Sequence, residues 1–229
     1  MKSTNWILYF FGLDACLELL APFLFPSIHS LRFVTKPLLM ILLSFYVFNQ
    51  QGLNSKKTIL LALFFAWLGD VFLMIPGSNP LFFQLGLAAF LLMQITYITI
   101  FLKQIIPLDQ ISIQHRILSL LSIVVYVALL LNFLLPNIVE GLRIPVIIYA
   151  FALGSMLYFA LQRIQISTSN NYWQIAMGAF LFVVSDSLLA FGKFYYSFPG
   201  NSFIVMSTYI ISQLLLIKGL VTFVPVHKK

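Results

Sequence analysis

Charge is what this chain has least of. Only 8% of its residues are charged and 61% are hydrophobic, where an average soluble domain carries about 25% charged residues. The deficit excludes a soluble globular class, and 229 residues leave no length for a separate soluble domain beside the apolar runs. Cysteine is nearly absent: the one thiol, Cys16, lies in an apolar run, so no intrachain disulfide can form. Histidine is missing from the core of every apolar run, since His29 and His115 fall in or beside connectors and His227 in the tail. An intramembrane zinc hydrolase needs several ligands converging on one point, so no metal is expected. A rhomboid-like serine mechanism has no base. There is no glycine-rich phosphate loop. The net charge of +7 sits mostly in short loops, where cations set orientation and meet anionic lipid rather than nucleic acid.

What the chain does have is long apolar runs. Eight segments can be drawn, roughly 5–25, 33–50, 58–75, 80–102, 114–135, 142–162, 172–196 and 202–225, each long enough to span a bilayer. Lipid offers the backbone no hydrogen-bond partners, so these segments are helices. The expected fold is all-α: a polytopic membrane protein, a bundle of eight transmembrane helices in a single integral membrane domain, 1–229. Turn residues separate the segments, among them Pro26-Ser27, Gly52 to Ser55, Pro76 to Pro80, Pro107 to Ser112, Pro136-Asn137, Ser167 to Asn171 and Pro199 to Asn201. The first segment follows Lys2 but carries Asp14 and Glu18 and no small-residue cleavage site, so it reads as a retained helix.

Lys2, Lys56, Lys57, Lys103, Arg116, Arg163, Lys228 and Lys229 fall on the side of the N-terminus; Arg32, Lys36, Arg143 and Lys193 fall on the other. That asymmetry puts both termini in the cytoplasm. The short loops and tails suit a bacterial cytoplasmic (inner) membrane. A faint 4+4 parallel repeat also shows: Pro37 and Pro145, Asp70 and Asp186, and Gln94 and Gln213 are 108, 116 and 119 residues apart.

Of six acidic residues, four lie inside apolar runs: Asp14, Glu18, Asp70 and Asp186. Such groups are costly in a bilayer and normally face a bundle interior or a wet cavity. With the odd-numbered helices running outward, Asp70 lies about 8 Å and Asp186 about 15 Å below the outer ends of their segments. Lys36 and Lys193 stand nearer the outer surface. Tyr209 and Gln213 share one face of the eighth helix, and Gln94 and Tyr97 sit deeper in the fourth. Two carboxylates in different surroundings suit acid–base chemistry, one protonated and one ionised. Buried salt bridges with Lys36 and Lys193 would account for them structurally, although such bridges add little stability. Asp14 and Glu18 read more simply as a polar lining or as partners for a lysine. Proton sites in a small-molecule or lipid transporter would use the same aspartates. An intramembrane aspartyl-type hydrolase is less apt, since Trp67-Leu68-Gly69-Asp70 and Ser185-Asp186 match only half of one of its signatures.

At these residues the chain resembles the YhhN-like lysoplasmalogenase family of eight-helix membrane proteins. The resemblance rests on Lys36-Pro37-Leu38-Leu39-Met40, Gly69-Asp70-Val71-Phe72-Leu73-Met74, and Gln84 to Phe90 leading to Tyr97. It continues with Gly178-Ala179-Phe180-Leu181-Phe182, Ser185-Asp186-Ser187-Leu188-Leu189-Ala190 with Lys193-Phe194, and Tyr209 to Gln213. One departure is visible: the family's fourth helix carries a histidine shortly before the tyrosine, and Gln94 stands there. The resemblance implies hydrolysis of the vinyl ether bond of a lysophospholipid, a lysoplasmalogen, to a fatty aldehyde and a glycerophospho-ethanolamine or -choline. Asp70 and Asp186 would be catalytic, with Asp186 the proton donor, kept protonated by apolar surroundings. Asp70 would stay ionised and stabilise the oxocarbenium ion, much as paired carboxylates do in glycosidases. Lys36 and Lys193 would hold the lipid phosphate, with Gln94, Tyr97, Tyr209 and Gln213 as further substrate-binding groups. No cofactor is required.

Overall fold

The computed structural model describes residues 5–24, 31–53, 55–75, 80–104, 111–165 and 169–223. Lys2, His29, His227, Lys228, Lys229, Pro26-Ser27, Asn54, Pro76 to Asn79, Pro107 to Gln110 and Ser167-Thr168 lie outside those residues. The described chain is eight α-helices with two short 3₁₀ turns and no strand: α1 Asn5–Leu24, α2 Arg32–Phe48, α3 Lys56–Met74, α4 Pro80–Gln104, α5 Ile113–Leu134, α6 Glu140–Leu161, α7 Ser169–Phe194 and α8 Asn201–Val221. Seven are long and apolar enough to cross a membrane; the exception, α2, has 17 residues, about 26 Å of helix against a hydrocarbon core of about 30 Å.

The outer surface is that of a membrane protein. On α5, Leu118, Leu121, Val125 and Leu129 form a stripe at helical spacing, each more than half exposed. Water would penalise such a stripe, whereas lipid solvates it. The protein is an integral membrane protein.

The helices gather into two compact units, Met1–Tyr97 and Ile98–Lys229. In the first, α2 packs against both α1 and α3. Helices α3 and α4 meet through glycine. A Cβ on Gly69 would fall 2.7 Å from the Phe90 ring, and one on Gly86 would fall 2.7 Å from Leu73. Small residues let helix backbones approach where no hydrophobic effect drives association. The two contacts also fix an antiparallel register, Gly69 opposite Phe90 and Leu73 opposite Gly86.

In the second unit α7 and α8 are the most closely packed pair. A Cβ on Gly178 would meet the Leu216 backbone nitrogen at 2.9 Å and the Ser212 carbonyl oxygen at 3.1 Å. Ser185 Oγ donates to the Val205 carbonyl oxygen at 2.9 Å. Asn171 Nδ2 donates to the Gly219 carbonyl oxygen and to Thr222 Oγ1. That last pairing explains why α7 begins at Ser169, inside the expected Ser167 to Asn171 turn: its polar side chain finds partners on α8 rather than breaking the helix. The turn at Pro199 to Asn201 is present, with Gly200 at φ 85° immediately before α8, a backbone geometry that glycine adopts without strain.

Arg163, counted above as a cytoplasmic orientation charge, proves to be fully buried in the 3₁₀ turn Gln162–Gln165. Its guanidinium donates to Gln104 Oε1 and lies over the Phe101 and Phe223 rings, 5.6 and 4.5 Å from their centroids. Burial pulls it down to about 10, so it remains cationic at neutral pH. It clamps the ends of three helices.

Candidate functional site

Each catalytic aspartate of the sequence reading has its own surroundings, one in each unit. In the first unit the first turns of α2 carry two cations a turn apart, Arg32 and Lys36, on one face of the helix. Each meets an acid from a different neighbour. Lys36 Nζ lies 3.3 Å from Asp70 Oδ1 of α3, with the two side chains 13% and 2% exposed. Arg32 donates from Nε to Glu18 Oε1 of α1 at 2.9 Å, and its NH2 lies 2.9 Å from the same oxygen. Thr35 Oγ1 donates to Glu18 Oε2 at 2.5 Å. Pro37, expected in the first turn, is the sixth residue of α2; it removes the amide that would bond the Phe33 carbonyl. Asp14, one turn before Glu18, is buried, and its Oδ2 has no hydrogen-bond partner among the described residues.

In the second unit Asp186 lies on α7, 8% exposed. The Tyr149 hydroxyl of α6 donates to its Oδ2. Beside it, Ser187 Oγ donates to the Val183 carbonyl oxygen at 2.5 Å, so the Tyr126 hydroxyl of α5, 2.6 Å from Ser187 Oγ, acts as donor to it. Three helices thus deliver polar groups to one level. Neither tyrosine was singled out from the sequence, yet their depth was available there. Tyr126 and Asp186 lie about 12 Å from the C-terminal ends of α5 and α7, and Tyr149 about 13 Å from the N-terminal start of α6.

The other expected binding residues are placed as follows. Lys36 is the partner of Asp70. Lys193 is in the last turn of α7 and exposed. Tyr209 is buried, its ring 6.2 Å from that of Phe182 on α7, and Gln213 is fully buried one turn along α8. Gln94 and Tyr97 are fully buried on α4. Among the described residues no three His, Cys, Asp or Glu side chains gather where they could hold a metal ion.

The model of the YhhN family matches residues 31–220, which takes in both aspartates, Lys36 and the whole of α8 up to Leu220. The chain belongs to the YhhN family. Curated relatives of this family member include mouse lysoplasmalogenase TMEM86B, 40% identical over 86 residues. That match covers 38% of the chain and only 34% of the mouse protein. Bovine lysoplasmalogenase TMEM86A is 26% identical over 219 residues, 94% of the chain and 78% of the relative. Rat lysoplasmalogenase TMEM86B is 31% identical over 148 residues, 65% and 54% of the two chains. No solved structure matches the chain.

Proposed function

We propose that this YhhN family member is a lysoplasmalogenase: it hydrolyses the vinyl ether of a lysoplasmalogen by carboxylate acid–base chemistry. The observation that carries the proposal is the family match together with the names of its curated relatives. The chemistry suits what surrounds each acid. Vinyl ethers hydrolyse by protonation of the carbon β to oxygen. The resulting oxocarbenium ion is trapped by water at the carbon bonded to oxygen. Water then gives up a proton, and the hemiacetal collapses to fatty aldehyde and the glycerol hydroxyl. The proton spent at carbon is returned by the attacking water, so no oxidant or cofactor is consumed.

In this scheme Asp186 donates the proton and Asp70 stays ionised to stabilise the cation. Tyr149, which donates to Asp186, is a neutral phenol and brings no formal charge to hold that carboxyl ionised. The partner that meets Asp70 is an ammonium, which suits a charge that persists. Lys36 and Lys193 are the cations for the substrate phosphate, and Gln94, Tyr97, Tyr209 and Gln213 are further substrate-binding groups. Both termini are cytoplasmic, in a bacterial inner membrane, and residues 1–229 form one membrane domain.

Purified protein given lysoplasmenyl-ethanolamine in deuterated, ¹⁸O-labelled water is expected to release aldehyde and glycerophosphoethanolamine in equal amounts. The aldehyde should carry one deuterium next to its carbonyl, and the glycerol product should carry no ¹⁸O. Label in the glycerol would overturn the mechanism; no aldehyde, with proton-coupled uptake into proteoliposomes instead, would overturn the activity.

Tyr149 then has a defined part as a positioning residue. Tyr149→Phe is expected to lower kcat about 10- to 100-fold while leaving KM within about twofold, and to move the alkaline limb of the pH profile of kcat/KM, the limb set by a group that must be protonated. A purely structural role would lower the amount of folded protein and leave the profile where it was.

A further inference from the structure

The first unit holds buried polar groups that the proposed chemistry does not use. Both side-chain amide atoms of Gln94, and the indole nitrogen of Trp67, are buried without a hydrogen-bond partner among the described residues. Gln94 is 0% exposed. An unpaired buried amide costs about 1–3 kcal/mol for each group left unmade, and native structures leave few such groups. An amide that leaves both its N–H groups and its oxygen unmet calls for a neutral partner that both gives and receives a hydrogen bond. A phosphate would leave the amide oxygen facing an anion, and an ammonium would leave the two N–H groups facing a cation. A hydroxyl satisfies both.

Their position relative to Asp70 follows from the glycine contacts. Gly69 faces Phe90 and Leu73 faces Gly86; one further turn sets Phe65 opposite Gln94. Gln94 is therefore little more than a turn deeper than Asp70. Helical side chains lean towards their own N-terminus. In these antiparallel helices Asp70 leans inward and Gln94 outward, towards each other.

A lysoplasmalogen has one neutral hydroxyl, on the central glycerol carbon, two carbons from the vinyl ether oxygen. Whatever reads that hydroxyl must stand close to the reacting bond, as Gln94 stands to Asp70. We infer that Gln94 hydrogen-bonds the free central hydroxyl of the substrate and so is the residue that selects lyso over doubly chained lipids. The inference rests on the hydrolase proposed above. With the hydroxyl bound, Gln94 Nε2 donates to its oxygen, and its proton goes to Gln94 Oε1. A second chain at that carbon removes the proton and strands Oε1 again.

The test compares lysoplasmenyl-ethanolamine with its 2-deoxy analogue, on wild-type protein and on Gln94→Met. Wild type should lose about 100-fold or more in kcat/KM on the deoxy substrate, because a site built around a hydroxyl rejects the analogue lacking it. Gln94→Met should treat the two substrates within about threefold of each other. A parallel arm measures binding of the saturated 1-O-alkyl lysophosphoethanolamine, which this chemistry cannot cleave, against its own 2-deoxy form. Aldehyde formed equally from both vinyl ethers by wild type would overturn the inference and leave the hydrolase standing, as would a water molecule filling the role of the hydroxyl. Tighter binding of the hydroxylated ether, lost in Gln94→Met but without aldehyde from any substrate, would keep the recognition site and overturn the hydrolase. If Gln94→Met does not fold, Gln94→Leu is compared in its place, and discrimination undiminished in that variant overturns the inference.

Discussion

Asp186→Asn should hydrolyse lysoplasmenyl-ethanolamine about 10³-fold more slowly than wild type, within the range that a positioned general acid contributes. The change is nearly isosteric. An asparagine oxygen can still accept from the Tyr149 hydroxyl, so the α6–α7 contact survives and the unfolding temperature should stay within a few degrees. What is lost is the one thing an amide cannot do, which is to place a proton on carbon. The loss should fall on kcat and spare KM, because a group acting only in the transition state leaves ground-state binding unchanged. Asp186→Glu restores a proton but moves it by a methylene, and misplacement of that size is costly in rate; it should recover only part of the loss. A rate within tenfold of wild type for the asparagine variant, measured as aldehyde released per folded protein, would remove Asp186 from the chemistry.

Much of this was legible in the chain itself. Apolar runs located all eight helices with their ends displaced by only a few residues, because lipid leaves the backbone no alternative to the helix. The largest displacements have local causes. Lys56 and Lys57 belong to α3 rather than to the connector, since a cation in a first turn can reach the interface. α8 stops at Val221, ahead of Pro225, whose preceding residue avoids helical backbone. The costly carboxylates also announced themselves. What the sequence did not disclose was who meets them. Tyr149 and Tyr126 were passed over because tyrosine in a membrane helix ordinarily marks the interface; only their depth sets these two apart. Glu18 took Arg32 and Thr35 rather than a lysine, and two cations on one face of α2 could have been matched to either acid. Arg163 was misjudged for the opposite reason: in a short connector a positive charge looks like a topology signal, and nothing local shows that two phenylalanine rings cover it.

The Lys36–Asp70 pair is where a structural and a catalytic explanation can be separated by two substitutions. Lys36→Met leaves the Asp70 carboxylate buried opposite a thioether, and removing one partner of a buried pair costs about 3–5 kcal/mol. The variant should unfold well below wild type, and hydrolysis per folded protein should fall as well, since the ammonium that favours the ionised Asp70 is gone. Asp70→Asn should cost less stability, because the lysine stem is near the outer end of α2 and its ammonium can turn towards the interface. Its hydrolysis should nonetheless fall about 10²- to 10³-fold, the scale of losing one preorganised electrostatic stabiliser. Combining the two removes both charges, and replacing a buried pair by apolar or neutral groups is often close to neutral for folding. The double variant should therefore regain most of the unfolding temperature lost by Lys36→Met and none of the activity. Stability and rate then move in opposite directions along the same cycle, which an ion pair serving only to hold α2 against α3 cannot produce. If rate instead returns with stability in the double variant, Asp70 belongs to the scaffold, and the cation formed at the vinyl ether must find its counter-charge elsewhere.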